Sequence, residues 1–246
     1  MTNRQSADLH HAPWHGEERA VESGRLIHLV GDSTVADGKP HEFPLAGWGG
    51  YLHERLDEPV QNWAVGGART ETFFAHGWWG ELARHIHPGD TVLIQFGHND
   101  QKEPELLAAR GGYTDRLSRM VALVRDHGAD PVLCTSVERR YFDGERIVPS
   151  HGDYPNAVRD LAAHTGTHLI DLAVFSTWLY EDLGPEGSRA LLSHYSPGEF
   201  AGWPDGLMDE THFREEGGRR IAAYVALAIR AIERRDGDRP ARMSDR

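Results

Sequence analysis

The chain is poor in cysteine: Cys134 is the only one among 246 residues. No disulfide can form within it, which fits a reducing compartment, and a structural zinc cluster built on cysteines is excluded. Long hydrophobic runs are missing too. No window offers about eighteen uninterrupted apolar residues, so neither a transmembrane helix nor a membrane partner is expected. The first twenty residues, MTNRQSADLHHAPWHGEERA, contain no apolar h-region of the kind a secretory signal requires. Together with the single cysteine, this points to the cytoplasm, with a secreted protein whose leader has been removed as the alternative. Positive charge is also short. Lysine and arginine total 26 against 38 aspartates and glutamates, a net charge of −12. A nucleic-acid binder carries a basic patch or stripe, so no nucleic-acid partner is expected.

What is present is a 39% hydrophobic share, enough for a sizeable core, and 16 histidines, which raise metal binding and acid/base chemistry as questions. No internal repeat or long Pro/Ser linker divides the chain. The polar, histidine-dotted stretch 1–24 reads as an arm, 25–235 as one domain, and 236–246 as a tail. Within the domain, short apolar runs bounded by turn residues predict strands at 25–30, 59–64, 91–96, 131–136 and 168–172. Helical spacing appears at 48–56, at Leu117, Val121 and Val124, at 155–164, at 173–183, and in a last helix with Ile221, Val225 and Ile229 on one stripe. Strands alternating with helices predict an α/β fold, with a five-stranded parallel sheet covered on both faces. In such sheets the functional crevice lies beyond the carboxyl ends of the strands.

Chemistry is therefore sought at those ends. The first strand stops at Gly31-Asp32-Ser33, where the glycine permits a sharp turn that exposes a serine; Ser and Asp are equally ordinary helix N-caps. The second leads to Gly66-Gly67, which can bring a backbone N–H to a ligand or simply make a turn. The third ends in Gly97-His98-Asn99-Asp100, where an amide could donate to an oxyanion. Asp209-Glu210-Thr211-His212-Phe213 precedes the last helix, and a carboxylate three residues before a histidine in a tight turn can hold its tautomer. Each signal alone is modest. No Gly-x-Ser-x-Gly elbow and no His-Glu-x-x-His pair is found. His10-His11 and His85-x-His87 are short pairs without a carboxylate-rich set, so no metal is expected.

In order and in combination, these blocks resemble the SGNH (GDSL-type) hydrolases. Ser33, Gly67, Asn99 and His212 supply the four letters, and the agreement extends from about Arg25 to the last helix. Within that superfamily the chain is most similar to rhamnogalacturonan acetylesterases. The likeness is carried by Gly47-Trp48-Gly49, by Gly97-His98-Asn99-Asp100, and by Glu138–Asp143 followed by His151–Pro155. Gly67-Ala68-Arg69-Thr70 departs from the Gly-Gly-Arg-Ser often found there.

The resemblance implies a three-layer α/β/α sandwich of flavodoxin-like SGNH type. It implies a serine esterase without cofactor that removes O-acetyl groups from pectin-derived carbohydrate. Ser33 is then the nucleophile, His212 the base and Asp209 its orienting partner. The Ser33 and Gly67 N–H groups and the Asn99 amide form the oxyanion hole. Asp32, Trp48, Arg140, His151 and Trp203 are candidate substrate contacts. Trp203 stands out as a sugar platform, and Arg140 and His151 as local cations for an acidic sugar. Their plain alternatives are core tryptophans and a surface salt bridge. Other acetylated carbohydrates such as xylan, small acyl esters, or a non-catalytic carbohydrate binder are the competing functions. Oligomeric state cannot be read.

Overall fold

A computed structural model describes residues 24–38 and 44–237. The expected arm at 1–24 and tail at 236–246 lie almost entirely outside the described residues. Five strands form the main sheet: β1 (Ile27–Gly31), β2 (Val60–Asn62), β3 (Thr91–Gln95), β4 (Asp130–Cys134) and, after a small antiparallel hairpin of β5 (Phe142–Asp143) and β6 (Arg146–Ile147), β7 (His168–Ile170). Their order is β2-β1-β3-β4-β7 and every pairing is parallel. This is the flavodoxin-like order, whose switch point lies between β1 and β3.

The apolar residues of the strands alternate between two cores. Ile27, Leu29, Leu93, Val132 and Cys134 face one, and Val30, Val92, Ile94 and Leu133 face the other. The second core is covered by α1 (Thr70–Ala75), α2 (Trp78–Ala83), α3 (Thr114–Asp126) and α4 (Tyr154–Thr165). The first is covered by α5 (Leu172–Gly187) and α6 (Glu215–Gly237). A two-residue period split between two buried faces is what a parallel sheet inside a three-layer sandwich demands.

Differences from the sequence reading have local causes. The last sheet strand stops at Ile170, because the Asp171 side chain accepts the Val174 N–H at 3.2 Å and caps α5. That helix is broken at Gly184, with φ of 69°, before Pro185. The helical signal at 48–56 is a 3-10 segment, Trp48–Glu54. Both α1 and α2 arise between β2 and β3, where no helix is expected from the sequence. An antiparallel pair, β8 (Leu192–Tyr195) and β9 (Leu207–Phe213), stands apart from the main sheet. Among the described residues, no helix is long and apolar enough to cross a membrane.

Candidate active site

The end of β1 is built for a tight turn. A side-chain carbon added at Gly31 would lie 2.6 Å from the Gln95 carbonyl oxygen, so only glycine fits. The Val35 and Ala36 N–H groups then both donate to the Asp32 carbonyl, at 3.1 and 3.0 Å. Ser33 stays partly exposed on this turn, while Asp32 and Thr34 are buried. One Asp32 oxygen accepts from the Thr34 N–H (3.0 Å) and hydroxyl (2.8 Å); the other faces His98 Nδ1 at 3.5 Å. Burial alone raises this carboxyl. The nearby His98 charge, with the Thr34 bonds, overcomes that and holds it below its ordinary value.

Two further contacts clamp the turn. The Gln95 amide donates to the Thr34 hydroxyl at 2.6 Å and accepts from the Trp48 indole at 2.9 Å. The backbone of Gly47, Trp48 and Gly49 donates to the carbonyls of Ala36, Thr34 and Val35. The Gly-Trp-Gly run thus serves the serine turn as a splint, because side chains at either glycine would collide with that backbone.

Asp209 and His212 do not sit in a plain loop. They belong to β9, at a place where its pairing with β8 slips: Leu192 faces Phe213, but His194 faces Met208. The surplus residues bulge out. Inside the bulge Asp209 Oδ1 accepts the N–H groups of Thr211 (2.7 Å) and His212 (2.9 Å), so the expected turn is embedded in a strand. Asp209 Oδ2 lies 2.7 Å from His212 Nδ1, and His212 Nε2 lies 2.9 Å from Ser33 Oγ. The fold thereby joins side chains 179 positions apart. Burial pushes the Asp209 carboxyl up, but the His212 bond and charge and the two backbone donors hold it below the usual range. It therefore stays ionised at neutral pH.

The turn after β2 faces the serine: a side-chain carbon at Gly66 would meet Ser33 Cβ at 3.9 Å. Gly67 has φ of 77° and is exposed, a conformation that disfavours other residues. Asn99 Nδ2 donates to the Ala68 carbonyl at 3.1 Å, and the Thr70 N–H and hydroxyl donate to Asp100 at 2.8 and 2.6 Å. The loops after β2 and β3 are thus tied together beside Ser33. Ser33, Gly67, Asn99, Asp209 and His212 gather at the carboxyl ends of β1 and β3 and their neighbours.

The substrate contacts expected from sequence fare differently. Trp48 is fully buried and its indole is engaged by Gln95, so it has no face for a sugar. Asp32 is fully buried beneath the serine and serves the turn instead. Arg140 is no free cation: it is buried, bonded to Ser188 (3.0 Å), to Glu210 (2.6 Å) and to the Pro185 carbonyl. Its backbone N–H also donates to the Glu210 carbonyl, so it braces the segment carrying Asp209 and His212. His151 is 1% exposed, and burial, then the His98 and Arg139 charges, push it down to about 2. It is neutral and binds the Val137 carbonyl at 2.9 Å. Trp203 keeps partial exposure in the turn joining β8 to β9.

Sequence reasoning assigns no role to Gln95, Thr34 or Lys102, although Thr34 follows Ser33 directly in the first block. The Lys102 ammonium donates to Asn99 Oδ1 at 2.8 Å. A three-residue spacing from Asn99 was the only signal available for it. Among the described residues, no group of three or more His, Cys, Asp or Glu is placed to hold a metal ion.

A family model described as the GDSL-like Lipase/Acylhydrolase family matches residues 29–220. The chain is 42% identical over 209 residues to the rhamnogalacturonan acetylesterase RhgT of Bacillus subtilis (strain 168), covering 84% of this chain and 90% of that one. It is 31% identical over 211 residues to the probable rhamnogalacturonan acetylesterase YesY of the same organism, covering 84% and 93%. The crystal structure of YxiM from Bacillus subtilis superposes with a TM-score of 0.71 at 29% identity, covering 87% of this chain and 57% of that one. The chain therefore spans little more than half of that larger protein.

Proposed function

This chain belongs to the GDSL-like lipase/acylhydrolase family, and from that premise we propose that it is a serine esterase that removes O-acetyl groups from pectin-derived, rhamnogalacturonan-type carbohydrate. The observation that carries the proposal is the continuous chain from Asp209 through His212 to Ser33, with contacts of 2.7 and 2.9 Å. The names of the two Bacillus relatives support the substrate class. Residues 25–235 form the catalytic unit in this reading.

His212 Nε2 takes the Ser33 hydroxyl proton as Oγ attacks the acetyl carbonyl. The ionised Asp209 holds the imidazole with Nδ1–H toward itself and stabilises the imidazolium. The tetrahedral oxyanion receives the Ser33 and Gly67 N–H groups and the second Asn99 amide hydrogen. Collapse breaks the bond to the sugar oxygen, which leaves with the proton from His212. Water then attacks the acyl-serine, again losing a proton to His212, and acetate and free Ser33 are released. Trp203 is the sugar platform. With Arg140 and His151 buried, an acidic sugar on a chain of net charge −12 falls to two partly exposed arginines, Arg69 after β2, which it must share with Glu71 and Glu103, and Arg139 after β4, which donates to the His98 carbonyl.

The test is acetate release from acetylated rhamnogalacturonan fragments against acetylated xylan, with Ser33→Ala as control. Release from rhamnogalacturonan that vanishes in the variant is expected. Preference for xylan or for long acyl chains overturns the substrate, and full activity of Ser33→Ala overturns the mechanism.

A further inference from the structure

Asn99 closes β3 into a one-turn 3-10 helix, Asp100–Lys102, in which the Lys102 N–H donates to the Asn99 carbonyl at 3.1 Å. Residues three apart eclipse one another in a 3-10 turn. Lys102 therefore folds its side chain back over Asn99, and its ammonium donates to Asn99 Oδ1 at 2.8 Å. The other end of the same amide donates to the Ala68 carbonyl at 3.1 Å. Only one orientation of the amide satisfies both partners. Its oxygen must meet the ammonium and its nitrogen must meet the carbonyl, since an ammonium has no acceptor and a carbonyl no donor. Asn99 is itself nearly buried, whereas Lys102 is exposed and approaches from the rim.

We infer that Lys102 is a positioning residue for the oxyanion hole. This rests on the proposed role of Asn99. The ammonium prevents the amide from turning over, which would aim the carbonyl oxygen at a developing negative charge. It also draws electron density toward Oδ1, so the N–H facing the oxyanion becomes a stronger donor; charge-assisted bonds and chained bonds reinforce one another in this way. The interaction matters most when the oxyanion forms. Its removal slows the chemical step and leaves ground-state binding alone. Lys102 touches no reacting atom in this account and acts through Asn99.

A double-mutant cycle with 4-nitrophenyl acetate separates this role from the alternatives. Asn99→Ala is expected to lower kcat about a hundredfold, the usual cost of losing one oxyanion donor. Lys102→Met, which keeps the aliphatic stem without the charge, is expected to lower kcat about tenfold with KM unchanged; Lys102→Arg recovers most of that loss. In the Asn99→Ala background Lys102→Met changes kcat by less than about threefold, because there is no amide left to hold. Three results overturn the inference: a tenfold loss that persists without Asn99, a loss below threefold in the parent, or a loss appearing in KM. If Asn99→Ala itself costs nothing, the oxyanion assignment fails instead, so the two failures are distinguishable. Equal melting temperatures of parent and Lys102→Met show that the change is not one of folding.

Discussion

Two histidine–aspartate pairs stand at opposite ends of the same sheet, and only one is fit for catalysis. At the amino ends of the strands His28 Nε2 lies 3.3 Å from Asp90 Oδ2, both fully buried. At the carboxyl ends His212 Nδ1 lies 2.7 Å from Asp209 Oδ2. The difference is on the other ring nitrogen. His28 Nδ1 accepts the Trp63 indole N–H at 3.0 Å, so its lone pair is occupied by a donor that cannot give up a proton. The lone pair of His212 Nε2 faces a serine hydroxyl, 2.9 Å away and partly open to solvent. A histidine with a carboxylate is thus a structural tie or a base depending on what its second nitrogen meets.

Removing each histidine in turn separates the two pairs most strongly. His212→Ala should lower kcat/KM by at least about 10⁴-fold, as loss of a base in a serine triad does, with little change in melting temperature. His28→Ala should do the reverse, lowering the melting temperature and leaving kcat within about twofold. Comparable loss of rate in both variants would erase the distinction.

The carboxylates come next. Burial opposes the Asp90 charge, but the Leu26 and His87 N–H groups and His28 hold its carboxyl below the ordinary value. An Asn here turns an NH₂ toward His28 and the His87 N–H, leaving donors unmatched. Asp90→Asn should cost about 2–3 kcal/mol in denaturant unfolding. The sign follows from linkage: a depressed folded-state pKa adds stability that is complete above the unfolded pKa and lost as pH falls through the folded one. The penalty should therefore shrink below about pH 4.

At the catalytic end the pH signature is kinetic. Asp209, also held low, stays charged, so the acid limb of kcat/KM should fall tenfold per pH unit as His212 alone takes up one proton. Asp209→Asn removes the charge that stabilises the imidazolium and should move that limb to lower pH. A limb that stays in place would separate Asp209 from His212.

The smallest effect concerns Asp100. Burial, ahead of the Thr70 bonds that oppose it and the Asp32 charge that adds to it, pushes this carboxyl up to about 6. A raised folded-state pKa disfavours the native state above it. Asp100→Asn keeps an acceptor for Thr70 and should raise the melting temperature by about 3 °C at pH 8 and by less at pH 5.

Much of this was legible because the parallel α/β pattern announces itself. The short apolar run through Ile27, Leu29 and Val30 between turn residues, or the stripe of α6, needs no partner to be recognised. The polar blocks were legible because turns at strand ends use few residue types. The β8–β9 pair was missed because a bulged strand breaks the two-residue period. Arg140, His151 and Trp48 were misplaced for one shared reason. Charge and aromatic character are properties of a residue, but exposure belongs to its neighbours, and here Glu210, Val137 and Gln95 occupy all three.

Period, turn chemistry and residue type are local, so the alternation of strands and helices and the order of the polar blocks can be read along the chain, and the family follows from the resemblance of those blocks to known hydrolases. Which histidine faces a hydroxyl, which cations are buried, and that the Lys102 ammonium meets the Asn99 amide are set by how the segments pack in the tertiary structure. Those outcomes depend on separations of about 3 Å between segments as far apart as Ser33 and His212, which no local pattern encodes.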